Sequence, residues 1–331
     1  MSAVISAPII RIIIVNFNAG DLLVRCIETL LSQTFSNFEV VIVDNASTDG
    51  SLEFASVDDP RFTVISLAQN MGFAAGNNRG AEGCRTPWIA LLNPDAFPEP
   101  NWLEELSKAI ERYPDVTMFG STQIDANDEN SLDGSGDAFF AGGFARRGNH
   151  GHSRDDLPND GETFSPCASA AIYRTDVFRT VSGFDENFFC YYEDVDLAFR
   201  IRLMGGRCIQ VRDAIVKHVG SAVSGRRSDF VRFHSARNLV WLIVKNVPAP
   251  LFWLILPAHI GLQLMILSWA VIRGHFNPTS RGLAAGLKEV PRVWQQRKKI
   301  QSDKIVPWTK IARAMTWNPF KLLRRQHDVR T

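Results

Sequence analysis

The chain has 331 residues, 45% of them hydrophobic, enough for one large α/β domain with a sizeable core plus an appendage. Its five cysteines (Cys26, Cys84, Cys167, Cys190, Cys208) are odd in number, scattered and without CxxC spacing, which excludes a disulfide framework or zinc site and points to a reducing, cytosolic setting. The net charge of +1 hides an asymmetry: from Arg273 onward 14 Lys and Arg face three Asp and Glu, a balance of +11, so residues 1–272 sum to −10 and the basic tail suggests an anionic partner.

Residues 1–8 lack a basic region, so no signal peptide is expected. Residues 9–15 form a β-branched run of the kind found in buried parallel strands. A helical pattern over 21–32 follows, then a strand over 38–43 that closes on Asp44-Asn45-Ala46-Ser47-Thr48-Asp49-Gly50-Ser51. This small polar loop lies just past a strand's carboxyl end, where open α/β sheets bind ligands. A third strand over 62–66 leads to Asn70-Met71-Gly72-Phe73-Ala74-Ala75-Gly76-Asn77-Asn78, and a fourth over 88–92 ends in Asn93-Pro94-Asp95. The alternation predicts a doubly wound α/β sheet. No G-x-G-x-x-G follows the first strand, and Gly72-x-x-x-Gly76 follows the third, so a dinucleotide-dependent oxidoreductase is disfavoured.

A helix is expected over 102–113 and a strand over 116–121. From 122 to 162 the pattern dissolves into Gly, Asp, Asn, Arg and His, read as a long functional loop on the acceptor side. Residues 165–173 form a small-residue strand, and 207–211 and 214–217 two short strands before His218. Between them stands Phe189-Cys190-Tyr191-Tyr192-Glu193-Asp194-Val195-Asp196-Leu197. Leu197 and Ile201 are four apart and can share a buried helix face, with the acidic residues in the first turn, where exposed N–H groups favour them. A carboxylate beside aromatic rings and partly cut off from water has its pKa raised, which suits a general base. A solvated helix start is the alternative for an isolated acidic pair.

Six segments in order, Val15-Asn16-Phe17-Asn18, Val43-Asp44-Asn45, Asn70-x-Gly72-Phe73-x-x-Gly76-Asn77-Asn78, Leu92-Asn93-Pro94-Asp95, Tyr192-Glu193-Asp194-Val195-Asp196-Leu197 and His218-x-x-Gly220, resemble the family 2 glycosyltransferases of GT-A fold, in particular the rhamnosyltransferase-like branch. The resemblance covers roughly residues 9–240 and implies a mixed, mainly parallel sheet flanked by helices. It implies that Asp44 reads the base, with Asn16, Asn18 and Asn45 lining the same pocket. A carboxylate accepts from the imide N–H of uracil or thymine, which fits a UDP- or dTDP-sugar. Asn70, Gly72, Asn78 and Asn93 would line the donor, the glycines permitting close approach. Asn93-Pro94-Asp95 occupies the place of the Asp-x-Asp metal motif, with Asn93 for the first Asp. Asp95 and His218 would then hold Mg²⁺ or Mn²⁺ against the leaving diphosphate. By resemblance Asp194 is the general base of a single inverting displacement and Glu193 orients it or the acceptor, whereas Asp196 reads as a helix-turn charge. The processive members' Gln-x-x-Arg-Trp motif is missing; the nearest stretch is Phe233-His234-Ser235-Ala236-Arg237-Asn238. One sugar per encounter, with rhamnose a candidate, is the expectation.

Residues 247–272 contain no Asp, Glu, Lys or Arg, and roughly 20 apolar residues suffice to span a bilayer. Pro248, Pro250 and Pro257 interrupt the run, and a span would separate a cytosolic catalytic body from a strongly basic tail. An in-plane or re-entrant segment at the cytoplasmic face of the inner membrane is preferred, with Arg292, Arg297, Lys298, Lys299, Arg324 and Arg325 toward anionic headgroups. A buried core or dimer helix is the alternative. The chain thus divides into a nucleotide-sugar-binding and catalytic domain, 1–240, and an apolar helical segment with basic tail, 241–331. Its expected partners are a nucleotide-sugar donor, a glycan or lipid-linked saccharide acceptor and a membrane surface, with nucleic acid disfavoured. A catalytically silent nucleotide-sugar-binding or membrane scaffold protein is the competing reading, against which Asp44, Asp95, Asp194 and His218 together argue.

Overall fold

The β-branched runs become parallel strands in a computed structural model that describes residues 7–54, 57–220 and 228–331. Most of the 1–8 segment read for a signal peptide lies outside the described residues. β1 (Ile10–Asn16), β2 (Phe38–Asp44), β3 (Phe62–Ser66) and β4 (Trp88–Leu92) pair in parallel in the order β4-β1-β2-β3. The connecting helices are α1 (Asp21–Leu31), the single turn α2 (Ser51–Phe54) and α3 (Gly72–Ala81). Alternate side chains of each strand point to opposite faces, so β1 buries Ile10, Ile12 and Ile14 on one side and Ile13 and Val15 on the other. Gly76 and Gly80 let α3 lie directly on β1, since a Cβ at either would meet Val15 or Ile13.

The chain continues through β5 (Ala96–Pro98), α4 (Trp102–Arg112), β6 (Met118–Asp125), β7 (Asp128–Gly134), β8 (Asp137–Phe140), β9 (Phe144–Arg147), β10 (Gly161–Glu162), β11 (Ala170–Arg174), α5 (Thr175–Thr180), α6 (Glu193–Leu203) and β12 (Cys208–His218). The sheet extends as β10-β12-β6-β11-β4, with β11 antiparallel to both neighbours and β6 parallel to β12. Two short strands expected over 207–217 are one, β12, with an irregularity between Val211 and Ile215. Register settles where the site lies. Ala170 pairs with Leu92, Ala171 with Gly120 and His218 with Asp125, so the ends of β1, β2, β4, β6 and β12 and the start of β11 share one sheet edge.

The expectation of a long loop over 122–162 is corrected. β7 pairs with β6, and β8 and β9 form a separate hairpin that stacks Phe140 on Phe144. The segment lacks apolar alternation because several of its buried positions are polar: Asp133, Ser135, Asp137 and Asn149.

α6 is buried on nearly all sides. Leu197, Ala198 and Ile201 face the sheet, while Val195, Phe199 and Leu203 join a second core supplied by the C-terminal helices. These are α7 (Asp229–Asn246), α8 (Ala249–Ile272), α9 (Phe276–Lys288), α10 (Val290–Asp303), α11 (Trp308–Ala314) and α12 (Pro319–Leu323). The boundary expected after residue 240 falls inside α7. Gly282 and Gly286 bring α9 against α7, where a Cβ would strike the backbone oxygens of Phe233 and Arg237. The prolines expected to interrupt 247–272 do not. Pro248 and Pro250 sit at the start of α8, where a missing N–H costs no helical bond, and only Pro257 lies inside. Arg297, expected to meet headgroups, is instead buried and donates to the carbonyls of Val244 and Val247 at the end of α7.

Candidate active site

At the carboxyl ends of β1 and β2 the amides and acids predicted for a base pocket lie together. The Asn16 Nδ2 donates to Asp44 Oδ1 (2.9 Å) and to the hydroxyls of Ser47 and Ser51. Asp44 also accepts from the Ser47 N–H, and Asn18 Oδ1 from the Thr48 N–H. Asn45 Nδ2 donates to Asn70 Oδ1, while Asn45 Oδ1 accepts from the Met71 N–H, tying this loop to the start of α3. Two expected residues are occupied otherwise. A Cβ at Gly72, where φ is +84°, would lie 2.6 Å from the Phe189 ring, so the close approach it permits is made by the protein itself. Asn78 spends its amide on the Phe184 backbone and Glu186, bracing the turn before α6.

At the end of β4, Asn93 is half-buried and Asp95 buried. The His218 Nε2 lies 3.3 Å from Asp95 Oδ1, and its Nδ1 lies 2.7 Å from Asp133 Oδ2. A carboxylate behind a ring nitrogen fixes the imidazole's orientation and is the arrangement found behind metal-ligating histidines. Arg147 and His150 also contact Asp133. Burial alone would raise the Asp133 carboxyl, but Arg147, His150 and His218 outweigh it and hold it well below the usual carboxylate range. Burial lowers His218 and its two carboxylate neighbours more than restore it, leaving it above the ordinary histidine value. Among the described residues no three acidic, His or Cys side chains form a cage that could hold an ion unaided. Asp95 and His218 are one hard oxygen donor and one imidazole, a pair that fits a divalent cation sharing its remaining positions with diphosphate oxygens and water.

Across the same edge, the N–H of Ala168, just before β11, reaches Asp194 Oδ2 at 3.3 Å, and the Val195 N–H reaches Oδ1 at 2.8 Å. Burial raises the Asp194 carboxyl, against those two hydrogen bonds and the charge of Arg147. Asp137 is pushed up to about 7 by burial and by Asp194, against Arg147. Glu193 is buried with Oε2 unbonded, and burial followed by the Asp194 charge pushes it well up. Asp194 thus has a raised carboxyl, with the carboxyls of Asp137 and Glu193 raised by its charge and Arg147 acting against the rise at Asp194 and Asp137. Asp196 is no solvated turn charge: it is fully buried, paired with Arg200 and Lys245, and accepts from Asn246.

The structure thus brings Asn16, Asn18, Asp44, Asn45 and Asn70 into one cluster, and Asp95, His218 and Asp194 to the same sheet edge. It adds Asp133, Asp137 and Arg147. Asp137 and Arg147 are direct cross-strand partners in the β8–β9 hairpin. Nothing in their sequence neighbourhood shows period-2 alternation, so only the folded hairpin reveals them.

The model of glycosyl transferase family 2 matches residues 11–182. An N-acetylglucosaminyl-diphospho-decaprenol L-rhamnosyltransferase of Mycobacterium tuberculosis is 26% identical over 271 residues, 74% of this chain and 88% of that protein. Succinoglycan biosynthesis protein ExoO of Rhizobium meliloti is 33% identical over 133 residues, 40% of this chain and 37% of that protein. Among solved structures, a mannosyltransferase from Pyrobaculum calidifontis in complex with GDP-Man and Mn2+ is similar with a TM-score of 0.56 at 19% identity, covering 93% of this chain and 84% of that one. TarS from S. aureus gives a TM-score of 0.53 at 16% identity, covering 88% and 90%. These likenesses place the fold in the GT-A class.

Proposed function

We propose that this chain, which belongs to glycosyl transferase family 2, moves one sugar with inversion from a dTDP- or UDP-linked donor to a hydroxyl of a membrane-linked glycan precursor. The observation that carries this reading is the convergence of Asp95, His218 and Asp194 from three distant segments on one sheet edge, beside the Asn16–Asp44 cluster. Asp44 accepts the base's imide N–H, and Asn16, Asn18, Asn45 and Asn70 hold the loops that shape its pocket. Asp194 takes the proton of the acceptor hydroxyl as that oxygen attacks the anomeric carbon and the bond to diphosphate breaks on the opposite face. One base suffices, because inversion in a single step forms no covalent intermediate. Asp95 and His218 would hold Mg²⁺ or Mn²⁺, which when bound neutralises charge on the leaving diphosphate. Asp133 fixes the His218 ring. Rhamnose is the preferred sugar, supported by the likeness to the mycobacterial L-rhamnosyltransferase.

The division we assign is a catalytic body over 1–240 and a membrane-facing appendage over 241–331, working at the cytoplasmic face of the inner membrane. Support comes from α8. Trp253, Leu254, Ile260, Leu264, Met265, Trp269 and Ile272 are exposed, while Leu251, Phe252, Ile255, His259, Gln263 and Ala270 pack on the protein. A helix with one apolar face packed and the other open suits an in-plane seat better than a span surrounded by lipid.

The test is binding and hydrolysis of a panel of dTDP-, UDP- and GDP-sugars with Mg²⁺, Mn²⁺ or chelator, alongside Asp194→Asn and Asp95→Asn. One donor bound with metal dependence, and turnover lost in Asp194→Asn while binding is kept, is the expected result. A folded protein that binds no nucleotide sugar would leave the membrane scaffold.

A further inference from the structure

Three residues in the segment leading to Asp194 have backbone conformations that side-chain-bearing residues rarely adopt. Phe189 has φ 65° and ψ −63°, and the Cys190 N–H closes on the Phe188 carbonyl at 2.7 Å, which makes a classical γ-turn, a rare and strained one. Tyr191 follows at φ 71° and Tyr192 at φ 65°. Tyr192 is the residue on which α6 begins, directly before Glu193 and Asp194. Such conformations are costly and persist only where the surroundings over-determine them.

The rings of Phe189 and Tyr191 pack on Phe230, and that of Phe189 on His234, while the backbone is held by one side chain and its neighbour on α7. The buried Asn238 Nδ2 donates to the carbonyls of Phe188 (3.0 Å), Cys190 (2.9 Å) and Tyr191 (2.8 Å). Arg237 Nε donates to Asn238 Oδ1, which fixes which end of the amide faces the turn, and Arg237 Nη2 reaches the carbonyls of Asn187 and Phe188. The Phe189 carbonyl accepts from the Ala74 N–H at the start of α3, and that of Tyr192 from the Asp196 N–H. Every carbonyl from Phe188 to Tyr192 therefore has a partner; Asn238 reaches three of the five, sharing that of Phe188 with Arg237 and the Cys190 N–H.

We infer that Arg237 and Asn238 are positioning residues that hold the strained 188–192 turn and thereby set where Asp194 meets the acceptor. The inference rests on the proposed role of Asp194. It gives a task to the stretch where the sequence lacks Gln-x-x-Arg-Trp: this pair grips the backbone behind the base. Arg237 and Asn238 act on the turn before the base, whereas the donor pocket is reached only indirectly, where Phe189 touches the start of α3, so kcat should respond more than donor affinity. A base misplaced by a fraction of its own length loses much of its rate, since about 1 Å of misplacement can cost about 100-fold.

The experiment uses the full chain with Asn238→Ala, Arg237→Gln and Asp194→Asn. It measures the nucleotide-sugar Kd, the kcat of donor hydrolysis across pH, and thiol labelling read by peptide mass spectrometry. Cys190 lies inside the turn, and Cys26 and Cys208 lie in the two sheet cores. Asn238→Ala is expected to lose kcat by about 10- to 100-fold with a displaced pH limb, to change the nucleotide-sugar Kd by much less, and to label faster at Cys190 while Cys26 and Cys208 stay protected. A folded Asn238→Ala with unchanged kcat, or with unchanged Cys190 labelling, overturns the inference. Should Cys26 label in that variant, the fold is lost and Arg237→Gln, on the more accessible side of the clamp, decides by the same two readouts. If the wild-type chain binds no nucleotide sugar, the glycosyltransfer reading falls by itself, and Cys190 labelling still judges the clamp.

Discussion

His218 Nδ1 lies 2.7 Å from Asp133 Oδ2, so a strand of the region between residues 122 and 162 orients the imidazole that ends β12. Without that carboxylate the ring can rotate and present the wrong nitrogen to Asp95. Outer partners of this kind typically contribute 10- to 100-fold in metal affinity or activity. Asp133→Asn should therefore lower donor hydrolysis by about that factor, or raise the half-saturating Mn²⁺ concentration equally. A metal titration with wild type alongside reads it, and identical curves would remove Asp133 from the site.

Asp194 must be ionised to act as a base, so turnover should rise with pH and level off. Its carboxyl is raised, so the limb should lie above the ordinary aspartate value near 4. Asp137 titrates later, at about 7 and against the charge of Asp194, so Asp137→Asn replaces a carboxyl that is still protonated and should leave the limb in place. Arg147→Gln removes a positive charge and should move the limb up by about one pH unit, with a lower plateau because Asp133 also loses its partner. A fixed limb in the first variant and a raised one in the second is the signature. A limb that Arg147→Gln leaves in place would mean that a group other than Asp194 sets it.

The half of the fold built on β-branched runs is legible in the chain, because a parallel strand buried on both faces must be apolar throughout. The motifs at strand ends are legible for a related reason: they sit where apolar runs stop. The β7–β9 region is not. Its buried Asp133, paired with Arg147 and His218, and its buried Ser135 and Asp137 interrupt the apolar Leu132, Ala138, Phe139 and Phe140, so burial left no alternating hydrophobic trace. Asp196 misleads in the same way, since its buried partners Lys245 and Asn246 lie nearly 50 residues on. Asn238 shows no local sign either, because the turn it holds becomes strained only in the folded chain.

Asp196 and Asp194 are two residues apart and should fail differently. Asp196 is fully buried against Lys245 and Arg200, and removing one partner of a buried pair typically costs about 3–5 kcal/mol. Asp196→Ala should unfold at a markedly lower denaturant midpoint, whereas Asp194→Asn, which lifts a repulsion among Asp137, Glu193 and Asp194, should be as stable as wild type or more so. Urea unfolding followed by circular dichroism separates them.

The same lysine sets an acid limit. Burial would raise Asp185, but Lys245 outweighs it and holds the carboxyl well below the usual range. A carboxyl depressed in the folded state stabilises above its unfolded value near 4 and loses that stabilisation as pH falls toward the folded value. Asp137, raised to about 7, works the other way: its contribution is present below pH 4 and fades between about 4 and 7. Asp185→Asn should lower stability at pH 7 and flatten the acid side of the profile, and Asp137→Asn should flatten the slope from pH 4 to 7. Unfolding midpoints measured from pH 3 to 8 check both, and parallel profiles for all three proteins would refute them.

Last, the open face of α8 and the basic tail should bind a membrane by separable forces. Lys298, Lys299, Arg324 and Arg325 are exposed, and attraction of such charges to anionic lipid is screened by salt, with a Debye length of about 3 Å at 1 M. Leu254 and Leu264 are 63% and 60% exposed, and burying a leucine side chain is worth roughly 1.5–3 kcal/mol whatever the salt. In flotation with anionic vesicles the wild-type chain should therefore stay bound in 1 M salt, while Leu254→Glu/Leu264→Glu should bind only at low salt. Both proteins should hydrolyse donor equally in detergent, because neither leucine lies near Asp194 in the packing of the two cores. Wild-type protein released by salt alone would assign membrane contact to the tail and leave α8 to cover another protein surface.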